Sequence, residues 1–251
     1  MRQKILYTLL FIALLGILSL IGYGAIPQWA SYHNFADKRS FCGIPNFFDT
    51  FSNFSFFAAG VYLLTKFQKS KQNNLFSSKD TVFYYAMGLS LISLFLGSFY
   101  YHLQPNDIRL VWDRLPIASF FSILFLQILF EMKIIEDSKR NVIFAFIYWL
   151  VSSISVFVWY YSGDLRLYAF AQFYPLICVL VLGIISLFVI EYKSYSKLFL
   201  TLIVGYSIAK VFEKFDYETL TLTNGLLSGH SIKHMIAGLT VLFYFKIKKI
   251  N

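Results

Sequence analysis

The chain has 251 residues, of which 58% are hydrophobic, 20% aromatic and only 14% charged, with a mean hydropathy of +0.62 and a formal net charge of +9. A water-soluble domain carries about 25% charged residues, so this composition excludes a soluble globule and leaves an all-α polytopic membrane helix bundle as the fold class. Excess positive charge would suggest nucleic-acid binding in a soluble protein, but here Lys and Arg sit mostly in short stretches between apolar runs. They read as topology signals, and no nucleic-acid partner is expected.

Apolar segments of spanning length, about 20 residues each, fall at Ile5–Tyr23, Phe47–Phe67, Thr81–His102, Leu115–Met132, Val142–Tyr160, Leu167–Ile190, Leu198–Phe212 and Ser228–Phe245. The first follows Arg2 and Lys4 and precedes Gly22-Tyr23-Gly24-Ala25, so residues 1–25 could be a signal peptide. Its apolar stretch exceeds the usual h-region of about 7–15 residues, which favours an uncleaved anchor span. The connections are brief, with no linker, repeat or soluble appendage, so residues 1–251 read as a single integral membrane domain. Cys42 and Cys178 show neither metal-type spacing nor a disulfide framework and are given no role.

Eight spans place Arg2, Lys4, Lys66, Lys69, Lys71, Lys79, Lys133, Lys139, Arg140, Lys193, Lys197, Lys246, Lys248 and Lys249 on one side. Lys38, Arg39, Arg109, Arg114, Arg166, Lys210 and Lys214 fall on the other. The basic bias predicts that both termini are cytoplasmic.

The last span opens with Gly229-His230-Ser231-Ile232-Lys233-His234. Histidines four residues apart share one face of a helix, so His230 and His234 can address one metal ion. His102 ends the third span at the same, non-cytoplasmic level, and three histidines with one open position are the usual catalytic zinc arrangement. His33, in a loop with Asp37, is a secondary candidate for a fourth ligand.

Other ionisable residues within apolar segments are expensive and are kept for function or for pairing. Ser98 lies four residues before His102, and could either serve the site or bond back to a carbonyl one turn earlier. Asp113 follows the turn Gln104-Pro105-Asn106-Asp107, which returns it to the level of His102. It could act as general base, as a group orienting a ligand histidine, or as a salt-bridge partner of Arg114 or Arg109. The run KVFEKFDYE sets Lys210, Glu213 and Asp216 along one side of the seventh span, where Lys233 could pair with Glu213 or Asp216 in a structural network. Asp49, Ser52 and Asn53 open the second span at the same level, either to bond the metal shell or to pack helix on helix.

The pattern Ser98-x3-His102, Asp113 eleven residues on, then His230-x3-His234 resembles the alkaline ceramidase family, within the seven-helix membrane hydrolases that include the adiponectin receptors. TFSN (Thr50 to Asn53) resembles the family's N-T-x-S-N and DRLP (Asp113 to Pro116) its D-E-L-P; the likeness runs from about Gly43 to Leu242. It implies a seven-helix hydrolase core over residues 43–245 with an added N-terminal span, and Zn2+ held by His102, His230 and His234. Asp113 would handle the proton of the attacking water, and Ser98 would hold that water or stabilise the oxyanion. The substrate implied is ceramide or a related N-acyl membrane lipid, cut to a sphingoid base and a fatty acid.

Arg114 stands where the family has Glu, and Lys233 where it has Trp. The family's acidic calcium-binding segment has only Asp37 to offer, with Asn46 where a glutamate is expected, so calcium is not implied. SGHSIKH with Lys210 and Glu213 looks more like the bacterial branch, and the Lys-, Asn- and Ile-rich composition agrees. The expected setting is the inner membrane of a bacterium, with the zinc site toward the periplasm. A hydrolase of another lipid amide or ester, a receptor or sensor with a structural zinc, and a transporter using Lys210, Glu213 and Asp216 as a relay are the competing functions. The lack of inverted repeats and of broken helix pairs weighs against transport.

Overall fold

The computed structural model describes residues 1–72 and 78–248. Lys249 of the topology count lies outside the described residues, as do the side chains of Lys71 and Lys79. The described chain is all-α: α1 Arg2–Tyr23, α2 Phe47–Phe51, α3 Phe54–Gln72, α4 Ser78–Leu103, α5 Asp107–Glu131, α6 Lys139–Ser162, α7 Arg166–Phe188, α8 Ser196–Lys214, α9 Asp216–Leu222 and α10 Gly229–Ile247. Short 3-10 turns occupy Ala30–His33 and Ile190–Tyr195.

Six stretches among the described residues are long and apolar enough to cross a membrane: Arg2–Tyr23, Asp80–Leu103, Asp107–Glu131, Lys139–Ser162, Arg166–Phe188 and Ile190–Lys214. The protein is an integral membrane protein. The second and eighth predicted spans are helical too, as α2–α3 and α10, but their polar residues hold them below that hydropathy measure. Large apolar side chains such as Leu10, Phe11, Leu187 and Phe188 point outward, while Asp49, Asn53, Ser98 and His102 are buried. Apolar outside and polar inside is the distribution expected where lipid replaces water.

Two compact units divide the chain: residues 1–29 with 117–196, and residues 30–116 with those from Lys197 onward. The boundary crosses α5 between Pro116 and Ile117. In the first unit α1 packs on α7 and α6 on α7. Arg2 meets Glu191 at 2.8 Å at one end of the α1–α7 pair, and the Ile26 N–H donates to Asp164 at 3.1 Å at the other. The two helices therefore run antiparallel, as the first and sixth crossings must. The Tyr174 hydroxyl donates to the Leu9 carbonyl at 3.2 Å between them.

In the second unit α3 packs on α4 and α10 on α3. Phe67 stacks on Tyr84 and Phe54 meets Phe95, so α3 and α4 are antiparallel. Ser55 Oγ donates to the His234 carbonyl at 2.8 Å, and Lys66 Nζ donates to the carbonyls of Phe245 and, at 3.0 Å, Lys248, so α3 and α10 run parallel. These directions suit second, third and eighth crossings. Lys66 also caps carbonyls that the end of α10 leaves open and sets a cation at the negative end of its dipole.

Two sequence readings need correction. The second span is broken: Ser52 Oγ donates to the Asp49 carbonyl at 3.0 Å, and Asn53 Nδ2 to the carbonyls of Asp49 (2.8 Å) and Thr50 (3.2 Å). Side chains thus take carbonyls that a continuous helix would give to backbone N–H groups, and the helix restarts at Phe54. Asp216, placed with Lys210 and Glu213 along the seventh span, instead starts α9, because Phe215 leaves helical geometry at φ −101° and ψ 43°.

Gly97 lets α4 approach α5 closely. A Cβ on Gly97 would lie 1.9 Å from the Trp112 carbonyl oxygen, a backbone atom that cannot swing away. Small residues allow such contact where no hydrophobic force pulls helices together in lipid. Gly97→Ala should cost about 1–3 kcal/mol, read as a lower thermal midpoint in detergent. Gly22→Ala, where a Cβ meets nothing within 4 Å, should leave the midpoint unchanged.

Candidate metal centre

His102 sits in the last turn of α4, and His230 and His234 occupy the first two turns of α10. All three are buried, and one ring nitrogen from each lies within 4.8 Å of the others. The rings meet edge to face rather than stacked, with centroids 4.6–5.0 Å apart. The Nε2 atoms of His102 and His230 face one another at 3.3 Å. Two nitrogens each about 2.0–2.1 Å from one tetrahedral ion would stand about 3.3–3.4 Å apart, so the spacing fits shared coordination.

His234 is oriented by a chain of hydrogen bonds. Its Nδ1 lies 2.9 Å from Ser52 Oγ, whose proton goes to the Asp49 carbonyl, so Nδ1 is the donor and Nε2 keeps its lone pair for a metal. His102 turns Nε2 toward His230, while its buried Nδ1 has no hydrogen-bond partner. Asn46 Nδ2 donates to the His102 carbonyl at 2.8 Å from a left-handed backbone (φ 47°) that asparagine tolerates. The Phe35 ring covers the group, 4.8 Å from His102 and 4.2 Å from His230.

The start of α10 is fixed from several sides. Asp216 Oδ1 accepts the His230 N–H at 2.7 Å, and Oδ2 accepts that of Ala36 at 2.8 Å. Ser228 is the N-cap, its Oγ accepting the Ser231 N–H at 2.9 Å. Both serine hydroxyls donate to Asp49 Oδ1 at 2.6 Å. A Cβ on Gly229 would come within 2.1 Å of the Phe212 carbonyl oxygen, so only glycine lets α10 begin this close to α8.

Ser98 is buried one turn before His102 on α4, and Asp113 is half-buried on α5. Arg114 lies within electrostatic range of Asp113, with its guanidinium 5.0 Å over the Tyr32 ring, whereas Arg109 sits over Tyr100. Of the predicted network, Lys233 pairs with Glu213 at 3.3 Å and Lys210 pairs with the other Glu213 oxygen; Asp216 takes no part. Lys233 Nζ also reaches 3.0 Å from Nε2 and 3.4 Å from Nδ1 of His230, flanking the ring.

His33 is not brought to the group: its nitrogens engage Tyr101 Oη at 2.8 Å and Asp107 at 3.0 Å. Asp37, the single carboxylate in the segment compared with a calcium site, is buried and accepts from Arg39 Nε at 2.6 Å and the Phe48 N–H at 3.1 Å. Phe35, Ser228 and Ser231 were not singled out from sequence. Ser228 was legible in principle as an N-cap before a helical histidine pair, but nothing local marks Phe35.

Lys233 carries a positive charge beside atoms that would face a divalent cation, and Glu213 offsets only part of it. Lys233→Met should therefore tighten the hold of a divalent cation by this group, roughly threefold to tenfold, in a chelator-competition titration with Zn2+ as the probe. Unchanged or weaker affinity would place the ammonium outside the field of the ion. No protein-family model, curated protein or solved structure matches the chain.

Proposed function

We propose that the chain is a zinc-dependent hydrolase of a lipid amide, with ceramide as the substrate that the resemblance to alkaline ceramidases favours. The observation that carries this reading is the convergence of three buried histidines on one point. His102, His230 and His234 are the residues that would hold the ion. A zinc ion bound there supplies Lewis-acid polarisation of a carbonyl and lowers the pKa of bound water to about 7.

Asp113 is then the base that takes a proton from the attacking water and returns it to the leaving nitrogen as the C–N bond breaks. Ser98, one turn before His102, would hold that water or stabilise the oxyanion. Phe35 and the buried helix ends keep bulk water from the histidines, which strengthens every electrostatic interaction there. Both termini lie in the cytoplasm and the site faces the outer side, the periplasm of a bacterium, a reading supported by the basic-residue count.

Fatty-acid release from a panel of ceramides by the purified, zinc-loaded chain tests the function. Release by the parent, reduced about 10²-fold or more in Asp113→Asn with zinc affinity kept, is the expected result. Zinc binding without release from any ceramide would redirect the search to other lipid amides or esters, and would raise a receptor or sensor with a structural metal to equal standing.

A further inference from the structure

Asp49 carries a carboxylate fully withdrawn from solvent. Its Oδ1 accepts the hydroxyls of Ser228 and Ser231, both at 2.6 Å, while Oδ2 is buried with no hydrogen-bond partner. No Lys or Arg pairs with it among the described residues. An anion in such a place is costly unless a cation compensates it.

The same residue is coupled to the histidines by two separate routes. Ser231 lies between His230 and His234 in the first turn of α10, and Ser228 caps that turn. Through its own carbonyl, Asp49 receives the Ser52 hydroxyl that orients His234 Nδ1. A single buried residue therefore grips, through its carboxylate, the helix carrying two of the three histidines, and stands, through its backbone carbonyl and Ser52, behind the ring of one of them.

We propose that Asp49, gripping Ser228 and Ser231, is the positioning residue and anionic counter-charge of a divalent cation held at His102, His230 and His234. The inference rests on the metal reading above and not on the identity of the substrate. The two oxygens divide the work: Oδ1 fixes where α10 starts, and the charge left on Oδ2 stabilises the cation across the turn. A group that orients a ligand through a hydrogen bond typically changes metal affinity by about 10–100-fold when removed.

Asp49→Asn tests the charge with little change of shape, since an amide oxygen can still accept from both serines. Purified parent and variant are titrated with Co2+, whose visible absorption reports tetrahedral coordination, and with Zn2+ against a chelator. Thermal unfolding of the metal-free proteins runs alongside. The expected result is affinity lowered about tenfold or more, with the metal-free midpoint kept. A carboxylate that served only to hold helices would leave affinity within about twofold, whether or not the midpoint moved, and that outcome overturns the proposal. A parent that binds neither metal would instead refute the metal centre itself. If Asp49→Asn does not fold, Ser231→Ala decides, since it removes one of the two donors and leaves the charge: a severalfold weaker affinity supports the positioning role, and an unchanged one contradicts it.

Discussion

Asp216 accepts the backbone N–H of His230 with one oxygen and that of Ala36 with the other. The bond to His230 supplies a partner for a donor that the first turn of α10 would otherwise leave open. The bond to Ala36 holds the backbone next to Phe35, whose ring covers His102 and His230. Asp49 acts on the same turn from α2 through Ser228 and Ser231. Moving the start of α10 by one residue would rotate His230 and His234 by about 100° and destroy their convergence with His102.

The polar groups around the histidines are arranged by sign. Asp49 and Asp216 approach from α2 and α9, while Lys233 and Lys210 share one carboxylate, Glu213. Glu213 draws the Lys233 ammonium toward α8 and limits its repulsion of a cation. These groups gather at one end of their helices, His102 in the last turn of α4 and His230 and His234 in the first two turns of α10.

Much of this was legible from periodicity and spacing. Each of the eight apolar segments became helix, and the i, i+4 spacing of His230 and His234 placed both rings on the face that meets His102. The agreement follows from the bilayer, which leaves a long apolar stretch little choice but helix. What failed to show were events set by side-chain bonds to backbone. The break after Phe51 depends on Ser52 and Asn53 taking nearby carbonyls, and hydropathy cannot register that. Asp216 shares the three-residue spacing of Lys210 and Glu213, yet the helix ends between them, so the pattern was continued one turn too far. Phe35 reaches the histidines through a loop whose path is fixed by Asp37, Arg39 and Asp216, contacts that no local pattern announces.

Everything functional here depends on whether three imidazoles bind one ion. Zinc K-edge X-ray absorption of the purified chain, loaded with one equivalent of zinc in detergent, addresses this directly. Three imidazole nitrogens and one oxygen at about 2.0–2.1 Å are expected, with one imidazole lost in His102→Ala. Failure to retain zinc, or a shell without imidazole, would contradict the metal centre and the hydrolytic chemistry proposed for it.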